Sequence, residues 1–287
     1  MKRALYLLLI FLTVGFGCKK NRLDEDFFES PARQYDLAVE GGINTRFQTQ
    51  SIRLTRPALH PDSLPKPISK ASVVVNDGLV DIVYRENSTI PGLYQGTLRG
   101  EPNYNSAYKL TVKYEGKTYN AIDTLRQVVN IVDDFLPLST RLTANNMIEV
   151  NIPKHTFGYL NPNKWYIVHE TKDDKGVFTF PQWLPSRFDQ SVDYSYTHFL
   201  GSPNSLYPLN NLKRNFTVGQ DIRVHIYKIS LSSRYAKYLY SVFMETDWSG
   251  LFSGVPVNVE SNVSGNAQGF FSVVDVDYRI YPAKELY

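Results

Sequence analysis

The residues best suited to chemistry in this sequence are five histidines, one cysteine and two acidic pairs. The histidines are scattered singly along the chain, at His60, His155, His169, His198 and His225. His169-Glu170 begins like the zinc-protease motif His-Glu-x-x-His, but Asp173 stands where the second histidine is needed. Zinc would lack a ligand there, so His169 is interpreted as an ordinary strand residue. The sequence therefore predicts no metal site and no cofactor.

The acidic pairs are the next candidates for chemistry. Asp133 and Asp134 are adjacent, and Asp275 and Asp277 are expected on one face of the final strand. Calcium needs about six to eight oxygen ligands, so solvation of a hinge and an edge-strand face are the preferred interpretations. The sequence also lacks the Gly-x-Ser-x-Gly elbow, the P-loop and the dinucleotide fingerprint. We therefore expect a non-enzymatic protein with no catalytic residues.

The only cysteine, Cys18, follows a segment typical of a secretion signal. Lys2 and Arg3 precede an apolar run over residues 4–14, and small residues then lead into Cys18. The run is shorter than the roughly 20 residues of a membrane span. The alternative of an uncut anchor helix is disfavoured because the chain becomes polar directly after Cys18. We expect cleavage after residue 17 and attachment of diacylglycerol and palmitate to the Cys18 sulfur.

Composition narrows the class of partner. A net charge of +3 is too small for a nucleic-acid footprint. Aromatic residues make up 14% of the chain and include 20 tyrosines. Because tyrosine combines an apolar ring with a polar tip, this composition favours half-buried sheet faces and binding surfaces.

Strand and turn patterns divide the expected mature chain into three parts. Residues 18–34 are charged and predict a flexible tether. About seven short strands over residues 35–130 predict an immunoglobulin-like β-sandwich. Residues 131–287 predict a second β-rich domain with one α-helix near residues 232–247. Ser232 or Ser233 is expected to cap that helix.

A long aromatic segment over residues 178–216 is the predicted binding surface. Long irregular segments in compact domains are usually functional or disordered, and the aromatic content argues against disorder. The segment is expected to anchor a partner protein or, as a weaker choice, to stack against sugar rings. The alternative is that it folds back as core through Trp183 and Tyr196. The candidate residues are Trp183, Phe188, Tyr194, Tyr196 and Tyr207.

Several short segments, in order and behind the signal-like N-terminus, resemble a known family. The sequence is similar to Bacteroidetes outer-membrane lipoproteins classed as domain-of-unknown-function family 4249. The matching segments are Val39-Glu40-Gly41, residues 71–78, Gly92-Leu93-Tyr94, residues 108–112, residues 116–119, residues 230–240 and residues 258–271.

The resemblance implies a place in the outer membrane beside a TonB-dependent receptor-like barrel, as starch-utilisation lipoproteins act. It also implies that the N-terminal sandwich is carboxypeptidase-regulatory-like. The cell-surface face is expected, although Lys19 and Lys20 stand where surface lipoproteins often carry acidic residues. The predicted function is that of an accessory subunit for nutrient capture or gating. The alternatives are a structural subunit of an outer-membrane assembly or secretion complex, and a stand-alone glycan- or peptide-binding protein.

Overall fold

Strand alternation in the sequence carries over directly into the structure. The computed structural model describes residues 35–57, 65–133, 136–153, 162–172, 178–179, 195–197, 213–246 and 259–287. Cys18 and the predicted tether lie outside these residues. Among the residues described, no helix has the length and apolar character needed to cross a membrane.

The first half of the chain forms eight strands. In β2 every second side chain is buried, including Gln50, Ile52 and Leu54, as a strand with one buried face requires. The strands are β1 (Leu37–Asn44), β2 (Thr49–Arg56), β3 (Lys66–Pro67), β4 (Ser72–Asn76), β5 (Asp81–Glu86), β6 (Leu93–Thr97), β7 (Ala107–Tyr114) and β8 (Lys117–Thr124).

The second half adds further strands and a helix. They are β9 (Ser139–Leu142), β10 (Ile148–Pro153), β11 (Asn163–His169), β12 (Thr171–Lys172), β13 (Phe178–Thr179), β14 (Ser195–Thr197), β15 (Lys213–Val218), β16 (Arg223–Ser230), α1 (Ser233–Thr246), β17 (Ala267–Val274) and β18 (Val276–Pro282). A short 3-10 helix, Ala283–Leu286, ends the chain. The predictions of a mostly β chain and of a helix near residues 232–247 are confirmed.

The first sandwich is one long sheet that curls over its own apolar face. Its strand order is β17-β1-β2-β6-β5-β4-β7-β8, with β3 paired to β2. The two ends of the sheet meet, because Ala121 of β8 bridges Val263, just before β17. Asp123 of β8 also accepts a hydrogen bond from the Val273 N–H at 2.9 Å. The enclosed core includes Ile52, Leu110 and Phe271. The predicted N-terminal β-sandwich is confirmed.

The join between β1 and β17 is the one parallel pairing recorded among the described strands. It needs glycine where the backbones approach most closely. Gly269 in β17 has φ +94°, and a Cβ there would lie 2.0 Å from the Val39 carbonyl oxygen. Gly41 in β1 has φ +107°, and a Cβ there would lie 2.4 Å from the Ser51 oxygen on the opposite side. Only glycine meets both demands at these positions.

The second core lies between two smaller sheets. The sheet β15-β10-β9 packs against the sheet β14-β11-β16-β18. Side chains from both fill the space between them, including Val150, Trp165, Phe216 and Ile226. Val224 and Ile226 of β16 face this core, while Tyr227 and Ile229 face a third apolar cluster on the far side of the sheet.

The chain does not pass from the first sandwich to the second at a single boundary. The sequence assigns residues 131–287 to the second domain, but the structure places β17 in the first sheet and β18 in the second. Between them, Asp275 is buried at 6% exposure. Residues Tyr35–Tyr287 group as one compact unit.

Asp275 collects hydrogen bonds from both parts of the fold. One carboxylate oxygen accepts the Thr45 hydroxyl at 2.5 Å and the Tyr104 hydroxyl at 3.3 Å. The other oxygen accepts the Val128 N–H at 2.8 Å. The Asp275 backbone exchanges two further bonds with Ser230, each 2.9 Å long. The prediction that Asp275 lies on the face of an edge strand is therefore wrong. Its side chain is buried, and both of its carboxylate oxygens accept hydrogen bonds from other segments.

Gly269→Ala is expected to lower the free energy of unfolding by about 3 kcal/mol or more, because the added methyl group meets the β1 backbone at a left-handed φ. Gly116→Ala is the matched control. Gly116 has φ +73° with open space where its Cβ would lie, so strain alone should cost about 1 kcal/mol. Urea unfolding of both variants measures the difference. Equal losses would show that close packing of β1 on β17 is unimportant.

Candidate functional site

A polar cleft of about 420 Å³ lies where the two sandwiches meet. One wall comes from the β6–β7 loop and from the segment that leaves β8. The opposite wall comes from the start of β11, the end of β16 and the first residue of α1. The lining residues are Asn105, Arg126, Gln127, Val128, Val129, Pro162, Asn163, Lys228, Ser230, Leu231 and Ser233. Its volume falls in the usual range for small-molecule sites, roughly 300–1,000 Å³.

The first wall is fixed by backbone hydrogen bonds. Asn105 has φ +57°, a left-handed conformation that asparagine tolerates well. Its N–H donates to the Leu125 carbonyl at 2.9 Å, so the loop is pinned to the chain just after β8. Val128, three residues further on, is held by the Asp275 carboxylate. Because of these bonds, the polar side chains of this wall extend from an ordered backbone.

The second wall is fixed in the same way. Asn163 and Ser230 lie opposite each other where β11 pairs with β16. Beyond this pair, the Leu231 N–H donates to the Pro162 carbonyl at 3.0 Å. The Ser230 hydroxyl oxygen accepts the Asp275 N–H. Asp275 therefore positions one residue on each wall, Val128 and Ser230.

The cleft lining is cationic. Arg126 and Lys228 contribute positive charge, and the lining residues that the structure describes include no aspartate or glutamate. Burial lowers the pKa of the Lys228 ammonium group, and the nearby Asp277 opposes this shift. The ammonium lies 5.1 Å from the ring centroid of Trp165, a cation–π contact that leaves the charge without a formal counter-ion. The arrangement suits a ligand that carries negative charge.

Helix α1 begins at the cleft through a capped N-terminus. The Tyr235 N–H donates to the Ser232 hydroxyl at 3.0 Å, which is the N-cap geometry predicted for this serine. The first turn of the helix contains no acidic residue. Asp123 of β8 supplies the carboxylate instead, by a hydrogen bond with Ser232. Burial raises the pKa of the Asp123 carboxyl group to about 6.

The sequence suggests a modification at the same position. Asp123-Thr124-Leu125 resembles a three-residue O-glycosylation pattern. Asp123 and Leu125 are both buried, and Thr124, which would carry the sugar, is half-buried. The second copy, Asp62-Ser63-Leu64, lies outside the described residues.

The opposite face of β16 carries a buried relay of hydrogen bonds. Glu170 accepts bonds from Arg223, at 2.9 and 3.0 Å, and from the His225 Nε2 at 3.1 Å. The Tyr278 hydroxyl lies 2.6 Å from the His225 Nδ1, and Tyr227 in turn bonds to Tyr278. Arg223 and the His225 Nε2 donate to the Glu170 carboxylate, the His225 Nδ1 accepts from the Tyr278 hydroxyl, and Tyr227 donates to Tyr278, so the relay is internally satisfied.

His225 in this relay is a structural histidine. Burial lowers its pKa, and the hydrogen bond and charge of Glu170 offset only part of that shift. At neutral pH the imidazole is therefore uncharged, and its contact with Glu170 is a hydrogen bond rather than an ion pair. His225 is only 3% exposed, which leaves no approach for a substrate. Among the described residues, no group of three or more His, Cys, Asp or Glu side chains is placed to hold a metal.

Of the five candidate residues on the predicted aromatic surface, the structure describes Tyr196 alone. At the end of the segment, Phe216 of β15 is buried in the second core, so this part of the segment is a strand and not an irregular binding loop. Tyr196 lies in β14, where its backbone pairs with Trp165 of β11. Trp183, Phe188, Tyr194 and Tyr207 lie outside the described residues, as does Cys18. These candidates remain predictions.

The cleft residues carry little signal in the sequence. Lys228 sits in a clean alternating strand and Arg126 follows one, so neither stands out from ordinary surface cations. Ser230 is recognisable only by its place two residues before the helix cap, Ser232. The walls meet because β17 returns to the first sheet, and that long-range pairing has no local pattern. The positive charge of Lys228, on the face of β16 that also carries core side chains, is the one feature of the sequence that hints at the cleft.

Two face-packed β cores joined at a polar cleft define a mostly β protein with a ligand-sized site. The chain matches the family model described as domain of unknown function (DUF4249) over residues 24–280. The protein therefore belongs to the DUF4249 family. No curated protein matches the chain.

Among solved structures, the FN1–FN3 domains of chicken CNTN1 are similar at 11% sequence identity and a TM-score of 0.26. The match covers 69% of this chain and 63% of that chain. The chain thus spans less than two thirds of that structure.

Asp123→Asn is expected to change the pH dependence of stability. The folded-state pKa of about 6 exceeds the ordinary 3.8, so the folded protein binds the proton more tightly than the unfolded chain. The Asp123 contribution to stability is therefore greatest below about pH 4 and is lost as pH rises to about 6. Urea unfolding should show wild type losing up to ~3 kcal/mol relative to the variant across this window. Asp81→Asn, on the exposed side of β5, controls for removal of a carboxylate. A pH-independent difference would contradict the prediction.

Proposed function

We propose that this protein is an outer-membrane lipoprotein that serves as a non-enzymatic accessory subunit of a TonB-dependent receptor-like barrel. It captures a small ligand at the cleft between its two sandwiches. The observation that carries the proposal is this cleft, because it has the volume of a ligand site and is lined by polar groups on ordered backbone. The signal-like segment before Cys18 supports attachment to the membrane.

A second surface supports contact with a partner. The hairpin between β4 and β5 exposes large apolar side chains at its tip, with Leu79 at 77% and Val80 at 54% exposure. Val83 follows on the outer face of β5 at 63% exposure. The turn itself is rigid, because the Asp77 carboxylate accepts the N–H groups of Leu79 and Val80 at 2.8 and 2.7 Å. Ordered apolar groups of this kind mark protein contacts.

The lipid anchor is tested by metabolic labelling with an alkyne analogue of palmitate. Wild type should incorporate the label and sediment with outer membranes, whereas Cys18→Ala should do neither, because Cys18 is the only cysteine. Lys20→Ala is the control and should label normally. A wild-type mature chain with a free Cys18 thiol would refute the anchor.

The barrel partner is tested by purification from membranes in mild detergent. Wild type should be recovered with a TonB-dependent receptor-like barrel, and the double variant Leu79→Ser, Val80→Ser should lose most of it. Val132→Ser, another exposed apolar side chain that lies outside the cleft lining, is the control for general loss of apolar surface. Recovery of wild type as a free monomer would count against the proposal. Recovery with many outer-membrane proteins would indicate an assembly complex instead.

A further inference from the structure

We propose that the cleft binds an acidic oligosaccharide, with a uronate carboxylate held by Arg126 and Lys228. This inference rests on the proposed role in ligand capture and specifies the class of ligand. Three observations support it. The cleft lining is positively charged, the neighbouring acidic side chains are already bonded to other groups, and the rest of the lining is largely polar.

The first support is uncompensated positive charge. Within the described part of the chain, neither Arg126 nor Lys228 forms an ion pair. Lys228 is partly withdrawn from water against Trp165. A partly desolvated cation gains more from an anion than one in bulk water does, because the local dielectric constant is lower. Bidentate contact with a guanidinium adds geometric selectivity for a carboxylate.

The nearby carboxylates do not take the place of this anion. Asp275 lies behind the cleft wall, and three donors engage its two oxygens. Asp277 accepts the Ile131 N–H at 2.7 Å and pairs with Arg279 at 3.1 Å. Both acids are thus occupied by other groups, and neither belongs to the cleft lining.

The second support is the remainder of the lining. Asn105, Gln127, Asn163, Ser230 and Ser233 line the same cleft as the two cations. Amides and hydroxyls both donate and accept hydrogen bonds, which matches the many hydroxyl groups of a sugar. Val129, at 54% exposure, adds apolar contact for ring carbons. A peptide carboxylate would use the cations but offer fewer hydroxyl groups to these polar side chains.

Isothermal titration calorimetry of the full-length protein in detergent tests the proposal. The probes are digalacturonate and dimannuronate, each compared with its neutral methyl ester. Wild type should bind at least one acid and bind its ester at least tenfold more weakly. Arg126→Gln and Lys228→Gln should each weaken binding of the acid by about 10–100-fold. Binding of the acid should also weaken as salt is raised.

Arg85→Gln is the matched control, since Arg85 is an exposed cation on β5 outside the cleft. It makes the same change in net charge and should leave both affinities unchanged. Equal binding of acid and ester, or unchanged binding in both cleft variants, would overturn the proposal. Failure of both uronates to bind at millimolar concentration would also overturn it. So would tighter binding of acetyl-trialanine with a free carboxylate than of either uronate.

These titrations use purified protein and need neither the lipid nor the barrel. Their failure would leave the lipoprotein and partner proposals standing. Conversely, loss of the barrel from detergent preparations would not alter the calorimetric result. The two proposals are therefore tested separately.

Discussion

The carboxylate of Asp275 sits where the chain leaves one sheet and enters another. Burying an ion is costly unless donors replace its water, and here Thr45, Tyr104 and Val128 do so from three separate segments. These hydrogen bonds compensate the charge and also specify geometry, since each one fixes the distance between a different segment and the Asp275 carboxylate. This one residue therefore links the end of β1, the end of β16 and the segment after β8.

The hydrogen bonds of Asp275 hold the two walls of the cleft in place. Strand β16 separates two polar environments, one on each of its faces. Lys228 and Ser230 line the cleft, where a ligand has room. His225 and Tyr227 point the other way, into a relay in which Glu170, Arg223 and Tyr278 satisfy one another. A closed network of this kind stiffens a strand but offers nothing to a ligand. The open side of the same strand is the side that remains available for binding.

Local patterns in the sequence were sufficient for many of the strands and for the helix, because period-two alternation and a serine cap are properties of neighbouring residues. The strand Thr49–Arg56 and the helix beginning at Ser233 are examples. Strands β13, β14 and the start of β15 fall in the segment that was expected to be irregular. The same reasoning failed for Asp275, since alternation placed it on a strand face and only tertiary contacts reveal a break between β17 and β18. The cleft could not be predicted from the sequence for the same reason. Arg126 and Lys228 are 102 residues apart and come to the same cleft through strand pairings between distant parts of the chain.

The pairing of β1 with β17 also sets the order in which the molecule can be completed. Leu37 lies beside Ala267 in the finished sheet, so a growing polypeptide that has released its first eight strands still presents two unsatisfied edges. Contacts this distant in sequence form slowly, and open edges invite pairing with other chains. Until the last few dozen residues leave the ribosome, the N-terminal part is an incomplete sheet that needs protection from its neighbours.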